Sequence, residues 1–145
     1  MPYLTIDPFT PGLGHPAQYY TDRDCVIDCR GPLDISPDSF WGLNVRVITA
    51  SHDPDNFSAV VYRPVKVDAG AWICSDAILY NCYIGENAVV GLGCVVRSRD
   101  VPAGTMVEGN PARIIARRVN GEWVYDKHFT ELRHKNAKGV CLRRF

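Results

Sequence analysis

Val65-Lys66-Val67-Asp68-Ala69-Gly70-Ala71-Trp72-Ile73-Cys74-Ser75-Asp76-Ala77-Ile78-Leu79-Tyr80-Asn81-Cys82-Tyr83-Ile84-Gly85-Glu86-Asn87-Ala88-Val89-Val90-Gly91-Leu92-Gly93-Cys94-Val95-Val96 carries a pulse of about six residues. Large aliphatic residues fall at Val67, Ile73 and Leu79, then at Ile84, Val90 and Val96. Two places before each stands a mostly smaller one: Val65, Ala71, Ala77, Cys82, Ala88 and Cys94. An α-helix repeats near 3.6 residues and a simple strand at about two, so neither accounts for this period. A short flat segment with two inward side chains, followed by a corner, does account for it. Three such segments close a triangular coil, and stacked coils form a parallel β-helix.

The pulse also runs upstream, through Ile35, Trp41 and Val47 with Leu33, Ser39 and Val45 before them. Cys25 and Ile27 read as an earlier, less regular hexad. Between the two runs, Ser51-His52-Asp53-Pro54-Asp55-Asn56-Phe57-Ser58 is polar and carries proline. It reads as a loop extruded near 51–64, and such loops carry function more often than their scaffold does. After Val96 the pattern dissolves. Val119-Asn120-Gly121-Glu122-Trp123 places an Asn-Gly turn between apolar residues and predicts a hairpin. From Asp126 to Phe145 the chain is basic and weakly periodic, which supports no more than a short helix or a tail.

At 145 residues the chain predicts one domain, with β-helix coils over about 20–109 and a C-terminal extension over 110–145. Sixteen basic and sixteen acidic residues cancel, so no global field argues for nucleic acid or a membrane surface. No apolar run reaches transmembrane length, and Met1-Pro2-Tyr3-Leu4 begins no signal peptide. Cys25, Cys82 and Cys94 occupy small inward slots, which a buried thiol explains better than a disulfide does. The expectation is therefore a reduced, cytoplasmic protein. The cysteines form no paired C-x-x-C motif, so no metal site is expected. Trp72, Tyr80 and Tyr83 fall at outward or corner positions. Aromatics on a flat rigid face suit a contact between copies, so a homo-oligomer with closed cyclic symmetry is expected.

Ala71-Trp72-Ile73-Cys74-Ser75-Asp76-Ala77, Ile84-Gly85-Glu86-Asn87-Ala88-Val89-Val90-Gly91, Asp100-Val101-Pro102 and Gly109-Asn110-Pro111-Ala112-Arg113 together resemble the hexapeptide-repeat acyltransferases. The resemblance is nearest to the maltose, galactoside and polysaccharide O-acetyltransferase branch. It extends upstream through Val47-Ile48-Thr49-Ala50-Ser51-His52-Asp53 and covers roughly residues 20 to 118. It implies an all-β fold, a left-handed parallel β-helix, a homotrimer, and acetyl-CoA in a groove between neighbouring subunits.

His52 stands where this branch carries its catalytic histidine. An alcohol is a poor nucleophile at neutral pH, and imidazole titrates near that pH, so a histidine suits the role of general base. The other histidines, His15, His128 and His134, read as surface residues. Asp22 stands where family members commonly place asparagine; a carboxylate accepts hydrogen bonds but does not donate them, which favours positioning of the acceptor. Asp53 is the other carboxylate candidate beside the base. For the donor, the resemblance assigns Ser75 to the pantetheine arm and the Leu92 backbone to the groove wall, where alanine is usual. Guanidinium is a natural partner for the CoA phosphates, and Arg97, Arg99 and Arg113 are the candidates. Arg97-Ser98-Arg99 replaces a shorter Thr-Lys, and the step from Leu79 to Ile84 is five residues where six is usual.

The function implied is transfer of an acetyl group from acetyl-CoA to a hydroxyl of a sugar or glycan, with no acyl-enzyme. The irregular segment Pro2–Tyr20 replaces the helical start of the maltose and galactoside enzymes and favours a glycan acceptor. Two alternatives stand beside this reading. One is a non-catalytic trimeric β-helix serving as a scaffold or sugar-binding protein; the other is an N-acetyltransferase acting on an amino-sugar.

Overall fold

The computed structural model of the protein describes residues 19–126. The irregular arm expected before residue 19 and the basic tail expected after Asp126 lie outside the described residues. Every described element is a strand. The chain opens with β1 (Tyr19–Asp22), which folds back antiparallel on β2 (Cys25–Asp28). It then coils through β3 (Leu33–Ile35), β4 (Phe40–Trp41) and β5 (Arg46–Ile48). The pair β6 (Ala50–Asp53) and β7 (Asn56–Tyr62) interrupts the coil, which resumes with β8 (Val65–Val67), β9 (Trp72–Ile73) and β10 (Ile78–Tyr80). β11 (Cys82–Ile84), β12 (Val89–Val90) and β13 (Val95–Arg97) follow. The described chain ends with β14 (Thr105–Glu108), β15 (Arg113–Val119) and β16 (Glu122–Tyr125).

These strands form three parallel faces. The first holds β2, β5, β10 and β13; the second holds β3, β8 and β11 and is extended by a parallel bridge from Ile84 to Val101. The third holds β4, β9, β12 and β14, and is continued by antiparallel β15 and β16. Each coil crosses the faces in the same order, so each strand lies one coil away from the equivalent strand. The register turns the hexads into ladders: Ile27, Val47, Leu79 and Val96 stack on the first face. Trp41, Ile73, Val90 and Val107 stack on the third. All are buried, as are Cys25, Ala71, Ala77, Cys82, Ala88 and Cys94 in the small inward slots. Burial pushes the thiol of Cys82 up to about 12 and that of Cys94 up to about 11, so both stay protonated as core residues.

The corners explain the polar half of each repeat. Asn44, Asp76 and Gly93 adopt positive φ at one edge, and Gly70, Asn87 and Gly104 at the next. Only glycine, asparagine and aspartate enter that region at low cost, which selects them at these turns. The columns are tied by side chains: Asn44 Nδ2 donates to Asp76 Oδ1 at 2.6 Å. The five-residue step is turned by Asn81 alone, at φ 50°, whose Nδ2 donates to Ser98 Oγ at 3.1 Å on the next coil. At the far end, Asn110-Pro111-Ala112 crosses the open core; Ala112 is buried and its N–H donates to the Val95 carbonyl at 3.2 Å. The hairpin at Asn120-Gly121 forms as expected, with both residues at positive φ.

One expectation about the surface aromatics changes, that for Tyr80, while Tyr83 and Trp72 are exposed as expected. Tyr80 is half-buried and its hydroxyl lies 3.1 Å from Ser51 Oγ, so it belongs to a cleft and not to an outer wall. Tyr83 donates from its hydroxyl to Asp68, under a Lys66 ammonium 5.2 Å from its ring. Trp72 is 47% exposed on the third face, in a line with Phe40 and Val89.

One polar inward position tests the packing. Ser39 fills a small slot in the core, where its Oγ accepts from the Trp41 indole at 2.8 Å and donates to the Ser36 carbonyl at 2.6 Å. Ser39→Ala should cost about 1–3 kcal/mol in urea unfolding, because it leaves a buried indole N–H without its partner. A change within a few tenths would show that the indole is satisfied another way.

Candidate active site

The extruded segment is a hairpin. Ser51 pairs with Val61 and His52 with Val60, and the register shifts between His52 and Asp53. Alternation through Phe57, Ala59 and Val61 makes Asn56–Tyr62 a competent strand, and Asp53-Pro54-Asp55-Asn56 supplies the turn. The base of the hairpin is locked to the preceding coil by Asp28. Its Oδ2 accepts from the Thr49 and Ala50 amides, each at 3.1 Å, and from Arg30 Nη2 at 2.9 Å. Its Oδ1 accepts from Arg30 Nε at 2.8 Å and from the Arg30 amide at 3.1 Å. Thr49 Oγ1 donates to the Asp28 carbonyl at 2.8 Å and accepts from the Gly31 amide at 2.9 Å. A Cβ at residue 31 would lie 2.5 Å from the Thr49 carbonyl oxygen, so glycine is required there. Burial alone would push the Asp28 carboxyl up; the Arg30 and Thr49 hydrogen bonds outweigh it and hold the group below its ordinary range.

So anchored, the hairpin stands over the edge between the first and second faces, and with the first face it encloses a cleft of about 580 Å³. Its floor is aliphatic, from Ile48, Ile78 and Val95. Its polar groups are His52, the Ser51 and Tyr80 hydroxyls, and the guanidiniums of Arg63 and Arg97. The His52 ring stacks on Phe57 with centroids 4.5 Å apart and planes 6° from parallel. That contact orients the ring plane while the imidazole stays exposed.

The remaining candidates fall elsewhere. Asp53 Oδ1 accepts from the Asp55 amide at 2.8 Å, a turn-forming contact. The backbone of Asp22 pairs with Cys25, whereas Tyr19 pairs with Asp28 beside the hairpin base, so Asp22 is roughly 10 Å further along the strand. Ser75 Oγ accepts from the Leu43 amide at 3.0 Å, and the Gly93 amide donates to the Ser75 carbonyl at 3.0 Å. Ser75 and the 74% exposed Leu92 thus line one prism edge, between the third and first faces. A full strand of the first face, roughly 16 Å, separates that edge from Tyr80 and the cleft. Arg99 Nη1 and Arg113 Nη1 both donate to the Ala112 carbonyl, at 2.9 and 3.2 Å, and flank a cavity of about 300 Å³ at the end of the coil. Within one chain, then, the structure joins His52 with Arg97, joins Ser75 with Leu92, and joins Arg99 with Arg113. It does not merge the three groups.

Asp28, Thr49 and Arg63 have no role in the reading of the sequence, and Tyr80 appears there only as an outward aromatic. An aspartate just after an inward isoleucine looks like any solvated carboxylate, and only the Asp28-x-Arg30 spacing hints at a pair. A larger concavity, about 960 Å³, lies on the third face against Trp72, Met106 and Trp123, remote from His52.

No family model matches the chain. It is 39% identical over 102 residues to nodulation protein L of Rhizobium meliloti, covering 68% of this chain and 56% of that protein. Among solved structures it resembles a maltose O-acetyltransferase from Clostridium difficile, at 32% identity and a TM-score of 0.61, over 67% of this chain and 54% of that one. A hexapeptide-repeat acetyltransferase from Vibrio cholerae, solved with acetyl-coenzyme A, matches at 27% identity and a TM-score of 0.60, over 67% and 55%. The chain spans about half the length of the curated relatives it matches.

The Asp28 anchor has a pH signature. A carboxyl held below its unfolded value stabilises the fold above that value, and the contribution is lost as pH falls through the folded value. The melting temperature of the wild type should therefore begin to fall as pH drops below about 4, the ordinary aspartate range. Asp28→Asn should lower stability at pH 7 by about 1–3 kcal/mol and flatten that acid slope. An unchanged slope in the variant would mean that other carboxylates set the acid limit.

Proposed function

We propose that this chain, a member of the hexapeptide-repeat acetyltransferase family, moves an acetyl group from acetyl-CoA to a hydroxyl of a sugar or glycan. The observation that carries this reading is the placement of His52: an exposed imidazole, held flat on Phe57, on an anchored hairpin over an apolar-floored cleft. Its ring nitrogen takes the acceptor hydroxyl proton as the oxygen attacks the thioester carbonyl. The same imidazolium then returns a proton to the departing thiolate, so no acyl-enzyme forms.

The donor residues support a site shared between copies. Ser75 and Leu92 line a different prism edge from His52, so one groove that holds all three needs the edge of a second chain. A closed ring of three copies, with the left-handed coil of the family, satisfies that geometry, and the exposed Trp72 face offers apolar surface for the contact. Arg99 and Arg113 fit a phosphate of CoA, because two guanidiniums converge on one carbonyl beside an open cavity. Asp22 is assigned to positioning the acceptor, and Asp53 to shaping the turn that carries the base. The described cysteines are free thiols, which suits the cytoplasm, where acetyl-CoA is supplied. No described helix is long and apolar enough to cross a membrane.

His52→Ala should lower turnover by about 10² to 10⁴, followed as thiol released from acetyl-CoA, while acetyl-CoA still raises the melting temperature. Parent-like turnover in that variant would remove His52 from the mechanism. Light scattering should give a mass near three chains; a monomer at micromolar concentration would remove the shared groove. Dephospho-CoA should bind more weakly than CoA, and Arg113→Gln should narrow that gap. Equal binding of the two ligands to the parent would assign these arginines elsewhere.

A further inference from the structure

The cleft contains more positive charge than a neutral sugar needs. Arg63 reaches it from the end of β7, and Arg97 from the end of β13, where it pairs in register with Tyr80. Neither guanidinium has an ion pair or a hydrogen-bond partner among the described residues. Other arginines are engaged: Arg30 by Asp28, Arg46 by the Asp24 carbonyl, and Arg118 by the Gly121 carbonyl and the Trp123 ring. Among the described residues no aspartate or glutamate lines the cleft, and its floor is aliphatic. Two cations over a low-dielectric floor, with no counter-charge among the described lining residues, make a site that favours an anion.

The anion is not explained by the donor. With the thioester carbonyl at His52, the phosphates of CoA lie at the far end of the pantetheine arm, and Arg99 and Arg113 flank a separate cavity of about 300 Å³ at the end of the coil, which Asp100 also lines. We propose that the acceptor is an acidic sugar, carrying a carboxylate or phosphate, and that Arg63 and Arg97 hold its acid group beside His52. This rests on the transferase reading above. The Ser51 hydroxyl of the hairpin and the Tyr80 hydroxyl of the first face, 3.1 Å apart, share one hydrogen bond and leave one O–H to donate to the sugar ring. The acid group fixes the ring, and the ring then presents one hydroxyl to the imidazole.

The test uses the full chain with three probes sharing one stereochemistry: glucose, glucuronate and glucose 6-phosphate. Binding is measured by titration calorimetry, and transfer by thiol release from acetyl-CoA. At least one acid should bind about tenfold tighter than glucose, as a charge-assisted bond to guanidinium warrants, and the better of the two identifies the acid group. Arg63→Gln and Arg97→Gln should each reduce the acid-to-neutral preference about tenfold, and Arg97→Lys should retain part of it. Melting curves verify that the variants fold. Equal binding of all three probes, or a preference that survives both glutamine variants, overturns the proposal. So does a loss confined to acetyl-CoA affinity, which would return these arginines to the donor. Arginine-dependent acid binding without thiol release would keep the subsite and remove the transferase reading. Transfer to glucose and to the acids with equal efficiency would do the reverse.

Discussion

A strand of two or three residues contributes about two side chains to an interior, too few to exclude water unless the next coil repeats them in register. That stacking is the constraint on which the molecule depends. Ile27, Val47, Leu79 and Val96 form one continuous ladder, and a one-residue slip anywhere in it would turn aliphatic side chains outward. Each buried aliphatic residue is worth about 1.5–3 kcal/mol, and the ladders sum these gains across coils that would have no core alone. The corners serve the same end. Left-handed residues at Asn44, Asp76 and Gly93 bring each strand back over the previous one without spending an inward position on the turn.

A prism under that constraint has little freedom on its faces, so variation collects at its edges. After the β2-to-β3 crossing, the edge between the first and second faces takes three further forms: the hairpin of β6 and β7, the single residue Asn81, and the longer Ser98-to-Asp100 turn. Where the chain departs furthest from the repeat, it is also held most tightly. Asp28, on the previous coil, satisfies the amides of Thr49 and Ala50, which the departing chain would otherwise leave buried and unpaired. The scaffold thus fixes the start of the hairpin, and the Phe57 ring fixes the imidazole at its tip.

The ladders were legible because their signal is periodic and redundant: every inward residue predicted from Cys25 to Val96 is buried. The Asn-Gly hairpin was legible because its turn chemistry is local. The hairpin of β6 and β7 reads as a loop in sequence, since the polar turn at its tip dominates the pattern and Asn56–Tyr62 has no partner outside the pair itself. Asp28 was hidden for a different reason. Its role depends on amides from Thr49 and Ala50, about twenty residues away, and sequence spacing carries no trace of a contact made between coils. Tyr80 looked like an outer aromatic because it follows an inward leucine; only the hairpin folding over it makes it a wall of the cleft.

The separation of the site residues follows from the same geometry. A repeating coil places equivalent residues in columns, so residues from different corners of the repeat cannot converge within one chain. Ser75 and Leu92 occupy one column, and Tyr80 and Arg97 another, about a strand's length apart across a rigid face. No hinge in a ladder of this kind closes that distance without breaking the register. In the proposed assembly a second copy would bring a foreign edge against the hairpin and leave both cores intact. The fold thus sets the Ser75 and Leu92 edge apart from the His52 edge, and the proposed assembly is the step that would join them.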